Sequence, residues 1–102
     1  MDYKVDFVFA KHGLMKYISH LDLMRLFMRG FRRAELPVKI TQGFSPHIKL
    51  SIKRALKLGL ESENEEALVI LKQAIDPEEF KRRLNEQLPE GISVKQATIT
   101  YQ

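Results

Sequence analysis

Apolar and polar side chains alternate at the start of the chain. Tyr3, Val5, Phe7 and Phe9 are interleaved with Lys4, Asp6 and Val8, a period of two that predicts a strand. Lys11-His12-Gly13 reads as the turn that follows. From Ser19 the period becomes helical. Met24, Phe27, Met28 and Phe31 are the expected core stripe, widened by Leu23, Leu26 and Ala34. Ser19 is the expected N-cap with Asp22 three residues on, and Pro37 predicts a stop at Glu35 or Leu36. Val38 and Ile40 predict a short strand, and residues 41–46 a loop. Ile48, Leu50 and Ile52 alternate with Lys49, Ser51 and Lys53, which predicts a half-buried strand with a basic outer face. Leu56, Leu58 and Leu60 extend that alternation. Residues 61–66 read as an acidic hairpin tip, and Ala67 to Leu71 as a central strand. Asp76-Pro77-Glu78-Glu79 predicts a helix start, with Phe80, Leu84 and Leu88 as its buried stripe and Pro89-Glu90-Gly91 as its end. Ile92, Val94, Ile99 and Tyr101 predict a last strand. Its inward phase changes between Val94 and Ile99, so a bulge is expected near Gln96.

The order is strand, helix, two or three strands, helix, strand. This predicts an α+β fold, a ferredoxin-like βαββαβ sandwich with two helices on one face of an antiparallel sheet. The other face is then open. At 102 residues the chain is expected to be a single domain, residues 1–102.

Composition narrows the chemistry. Cysteine is absent, which excludes disulfides, thiolate metal sites and a cysteine nucleophile. There is no His-x-x-x-His pair, nucleophile elbow or phosphate loop, so no metal and no cofactor are expected. No apolar run is long enough for a membrane span, and the expected location is the cytoplasm.

Charge is unevenly spread. Residues 1–60 carry twelve Lys/Arg against four Asp/Glu, and residues 61–102 carry five against nine. A basic surface is the footprint of a polyanion binder. Arg25, Arg29, Arg32 and Arg33 fall on one helix face, with only Asp22 and Glu35 as acids in that helix. The plain reading is a solvated helix face; the functional one is contact with an anionic partner, RNA or an acidic protein surface. Gln42-Gly43-Phe44-Ser45-Pro46-His47, followed by Lys49 and Lys53, combines an aromatic with basic residues, which suits base stacking beside phosphate contacts. Phe44 could equally plug one end of the core. His20 and His47, with Ser19, Asp22 and Ser45 nearby in sequence, are candidates for acid–base chemistry or for surface hydrogen bonding.

Two segments carry a resemblance. Tyr17-Ile18-Ser19-His20-Leu21-Asp22-Leu23-Met24-Arg25 resembles a "(Y/F)-(L/I)-S-H-L-D-x-x-R" signature. Gln42-Gly43-Phe44-Ser45-Pro46-His47-x-Lys49-Leu50-Ser51, followed by Leu58-Gly59-x-x-Ser62, resembles its companion block. Both resemble a bacterial domain family of unknown function associated with radical S-adenosylmethionine proteins, as their C-terminal part or as a separate partner. The resemblance runs from Tyr3 to Tyr101. The sequence departs from the family at Ile48, where proline is common, and after Glu65, where Glu66-Ala67-Leu68-Val69 replaces an aromatic-then-aspartate pattern. The family domain tends to be longer, so a truncated form or a short member is expected. With no Cys-x-x-x-Cys-x-x-Cys, the chain cannot itself be the radical enzyme.

The resemblance implies a non-catalytic RNA-binding or substrate-docking domain working with a radical S-adenosylmethionine protein or domain, in RNA modification. Arg25, Arg29, Arg32, Arg33, Lys49 and Lys53 are the expected phosphate contacts, and Phe44 and His47 the base contacts. One alternative is a metal-independent RNA-processing enzyme in which His20 and His47 serve as base and acid, oriented by Ser19 or Asp22. It requires the two imidazoles to converge. Another is a protein-interaction module using the open sheet face or the acidic turn. An apolar open face would favour a protein partner; a basic one with an exposed aromatic would favour RNA. Oligomeric state is not legible.

Overall fold

The computed structural model describes residues 1–53 and 58–101. The elements are β1 (Tyr3–Lys11), a 3₁₀ turn (Gly13–Tyr17), α1 (His20–Arg33), β2 (Leu50–Ile52), β3 (Ser62–Leu71), α2 (Pro77–Asn85) and β4 (Ile92–Tyr101). The sheet order is β2-β3-β1-β4, and every neighbouring pair is antiparallel. Both helices cover one face. This is the ferredoxin-like α+β arrangement that the pattern predicts.

The core is aromatic. Phe7 and Phe9 on β1, Phe27 and Phe31 on α1, and Phe80 on α2 are buried in one cluster, with ring centroids 4.9–6.3 Å apart. Edge-to-face contacts such as Phe9 with Phe27 suit the ring quadrupoles. Val5, Ala67, Val69, Leu71 and Val94 complete the sheet side. Gly30 is where the helices approach: a Cβ there would lie 3.0 Å from Leu84 Cδ1.

The helix ends follow their sequence signals. Ser19 Oγ accepts from the Asp22 N–H at 3.1 Å, and Asp76 accepts from the Glu78 and Glu79 N–H groups. The α1 C-terminus adds a device that the sequence does not announce. Leu36 N–H bonds to Phe31 C=O and Glu35 N–H to Arg32 C=O, a Schellman closure with Glu35 at φ 55°. Glutamate, not glycine, occupies the left-handed position. Arg83 of α2 donates to the Ala34 and Glu35 carbonyls at 2.5 and 2.8 Å, satisfying orphan acceptors.

Several expectations need correction. Residues 61–66 are not a hairpin tip; Ser62–Leu71 is one continuous strand. Its acids meet bases from neighbouring segments, Glu66 with Lys53, and Glu63 with His12 and Lys95, so extended structure is supported by tertiary partners. Leu58 and Leu60 lie outside any strand and are exposed, and Leu56 falls outside the described residues. Val38 and Ile40 make isolated bridges to Leu71 and Ile48 rather than a strand. The α1 stripe is centred on Leu23, Phe27, Gly30 and Phe31, with Met24 and Met28 only half-buried. The second helix ends at Asn85, short of Leu88 and of Pro89-Glu90-Gly91. The expected bulge is present: Val8 pairs with Gln96 and Phe9 with Val94, leaving Lys95 as the extra residue.

Candidate nucleic-acid interface

Amphipathicity dictates where the arginines go. Phe27 and Phe31 turn α1 onto the sheet, so Arg25, Arg29, Arg32 and Arg33 are all exposed on the side away from it. Arg25 lies 3.5 Å from Asp22 within the helix. Arg29, Arg32 and Arg33 have no ion-pair partner among the described residues. Arg29 and Arg33 also line a groove of about 500 Å³ where α1 meets the end of α2, together with Leu26, Gly30, Glu86, Gln87, Leu88 and Pro89. Among the described residues Arg29, Arg32 and Arg33 on this face make no ion pair; Glu86, which lines the same groove, is engaged by Arg82.

The Phe44 loop is built separately. Thr41 N–H bonds to His47 C=O at 2.8 Å, and His47 N–H to Thr41 Oγ1 at 3.0 Å, closing residues 41–47 at their base. Phe44 stands fully exposed at the tip, the only phenylalanine among the described residues outside the core, which removes the reading of it as a core plug. His47 Nδ1 lies 2.9 Å from the Ser45 carbonyl and 3.2 Å from Thr41 Oγ1. A carbonyl only accepts, so the bond to Ser45 requires the tautomer with the proton on Nδ1. Gln42, Gly43, Ser45 and Pro46 are exposed as well.

Lys49 and Lys53 lie on the open face of the sheet, where Lys49 lines a shallow pocket together with Thr41 and His47 of the loop. Register gives that face three rows: Lys49–Ile70–Lys4–Thr100, Ser51–Leu68–Asp6–Thr98, and Lys53–Glu66–Val8–Gln96. Lys53 is 3.5 Å from Glu66 and Lys4 is 3.6 Å from Asp6. The face is neither a continuous apolar surface nor a basic one with an exposed aromatic. The structure thus divides the expected RNA contacts between two sides of the domain: the arginines on the helix layer, the lysines on the open sheet.

The two histidines do not converge. His20 opens α1 and is exposed. The far end of α1 leads to Val38, which bridges Leu71, and His47 lies beyond the Ile40–Ile48 bridge at that same end. A helix of 14 residues, about 20 Å long, separates the two ends. The predicted base–acid pair is therefore not assembled, and neither Ser19, which caps the helix, nor Asp22, which faces Arg25, reaches His47's end.

Pattern reading missed a histidine cluster at the opposite lip of the sheet. His12 Nε2 is 2.5 Å from Glu63 and its Nδ1 3.6 Å from Glu61. The Gly13 N–H donates to Glu61 at 2.7 Å and, with His12 beside it, holds that carboxyl below its usual range. Lys95, with His12, does the same for Glu63. Both ring nitrogens of His12 are turned to carboxylates, which suits a tie between strand ends rather than proton transfer. Among the described residues no group of three or more His, Asp or Glu side chains is arranged to hold a metal ion. Lys11 and Glu65 are the buried charged residues, 2% and 3% exposed, and Ser62 Oγ donates to Glu65 at 2.8 Å. The signal for them was available: Lys11 continues the inward phase of Phe7 and Phe9, and Glu65 that of Ala67 and Val69.

A family model decides the affiliation. It covers residues 4–101, nearly the whole chain. The chain belongs to the family of uncharacterized proteins conserved in bacteria designated DUF2344. No curated protein matches it. Among the described residues, no helix is long and apolar enough to cross a membrane.

Proposed function

We propose that this DUF2344 domain is a non-catalytic docking module that binds structured RNA through the outer face of α1. The observation that supports this most is the run Arg29, Arg32 and Arg33, exposed together with no acidic partner among the described residues, beside a groove that Arg29 and Arg33 line. Arginine forks match phosphate oxygens, and such contacts position a polyanion without reading its sequence. Phe44, held out on a closed loop, offers a separate stacking surface for an unpaired base. Partnership with a radical S-adenosylmethionine enzyme, in RNA modification, rests on the sequence resemblance of the Ser19-His20-Leu21-Asp22 and Gln42-to-His47 segments. The separation of His20 from His47 weighs against the RNA-processing alternative.

The test compares two charge reversals on opposite sides of the domain. Arg29→Glu/Arg33→Glu should weaken binding of a labelled stem-loop RNA strongly. Lys49→Glu/Lys53→Glu should bind nearly as the parent does. Equal loss in both variants would mean general electrostatic attraction and no helix-face site.

A further inference from the structure

The two edges of the sheet are built differently. β2 is three residues long and flanked by Lys49 and Lys53, the usual ways of blunting an edge. β4 is ten residues long and, among the described residues, pairs only with β1. Its first half is covered in an unusual way. Asn85, the last residue of α2, donates through Nδ2 to the Val94 carbonyl at 3.0 Å and accepts from the Val94 N–H at 2.7 Å. The side-chain amide stands where a neighbouring strand would. Beyond Val94, no hydrogen bond among the described residues is made to the outer edge. That stretch, Gln96-Ala97-Thr98-Ile99-Thr100-Tyr101, has no charge, no glycine and no proline, and is rich in β-branched residues. An uncharged, extended, open edge is a template for another strand.

We infer that the outer edge of β4 from Ala97 to Tyr101 pairs antiparallel with the same segment of a second copy, joining two four-stranded sheets into one. The segment is complementary to itself. Around a two-fold axis, residues that face each other must lie on the same face of the sheet. With the axis at Ile99, Ile99 meets Ile99 and Ala97 meets Tyr101 on the helix side, where Ala97 and Ile99 are only half-buried. Thr98 meets Thr100 on the open side. These are favourable cross-strand pairs, and no like charges oppose each other. Lys95, the bulged residue at the start of the stretch, falls outside this set and is engaged with Glu63.

Sedimentation equilibrium over a dilution series tests this. The mass should rise from 11.9 kDa towards twice that value as concentration increases. Thr98→Lys/Thr100→Lys places lysines opposite lysines across the joint and should stay at the monomer mass with an unchanged circular-dichroism spectrum. Amide exchange gives a second readout that needs no variant: amides within 97–101 should slow as concentration rises, and those of β2 should not. A mass of 11.9 kDa at every concentration, dimers undiminished in the folded double variant, or concentration-dependent protection at β2 instead of β4 would each overturn the proposal.

Discussion

The Asn85 side chain occupies both backbone hydrogen-bonding groups of Val94, at 2.7 and 3.0 Å. One amide thereby fixes the end of α2 to the edge of the sheet and satisfies a strand residue that has no strand on that side among the described residues. Asn85→Ala leaves a half-buried N–H and C=O without partners and should cost about 1–3 kcal/mol. Asn85→Asp should cost no less, since a carboxylate can still accept from the N–H but faces the carbonyl with no donor. Urea unfolding monitored by circular dichroism measures both.

The α1 terminus offers a change in the opposite direction. Glu35 holds φ 55° in the position that glycine normally fills. Glu35→Gly should raise stability by about 0.5–1 kcal/mol, the relief of left-handed strain less the extra freedom of glycine in the unfolded chain. The same urea midpoint reports it. An unchanged or lower midpoint would mean that Arg83, bonded to the Glu35 carbonyl, already holds the turn at no net cost.

Gly91 meets the opposite constraint. It has φ 98°, its carbonyl accepts from His12 N–H at 2.8 Å, and a Cβ would lie 2.6 Å from His12 O and 2.9 Å from Met15 Cγ. Gly91→Ala should destabilise by about 1–3 kcal/mol through backbone strain and the collision with a carbonyl. Thermal unfolding checks it.

Acid should loosen the lip of the sheet around His12. Glu61 and Glu63 are both held below the ordinary glutamate value of 4.5, Glu61 chiefly by the Gly13 N–H and Glu63 chiefly by Lys95. Carboxyls with lowered folded-state values stabilise fully above the unfolded value and lose that contribution as pH falls through the folded ones. Part of the parent's stability should therefore disappear below about pH 4.5. Glu61→Gln/Glu63→Gln should be less stable at neutral pH and should lose less on acidification. Asp2, lowered by Lys39, keeps a residual slope in the variant. Stability measured against pH in the two proteins separates these outcomes.

Local signals were enough for much of the fold. The N-caps Ser19 and Asp76, the alternation in β1 and the phase change in β4 are all written in neighbouring residues, and each is present in the structure. What could not be read locally depends on partners far along the chain. The glutamates of residues 61–66 look like a solvated turn until Lys53, His12 and Lys95 are placed beside them. Glu35 does not look like a left-handed residue until Leu36 is seen to be buried and Arg83 bonded to the carbonyls beside it. Candidate site residues were legible by type, not by placement. Arg29 and Lys49 are both exposed bases, yet helical and strand periodicity send them to opposite sides of the domain.

The salt dependence of RNA binding tests the central claim most directly. A labelled stem-loop RNA would be titrated with the unmodified domain, with fluorescence anisotropy as the signal, at low and at physiological salt. The account predicts measurable binding at low salt that weakens steeply as salt rises, because each phosphate contact releases counterions. The slope should flatten in Arg29→Glu/Arg33→Glu. No binding at low salt, or binding indifferent to salt, would contradict a phosphate-binding helix face.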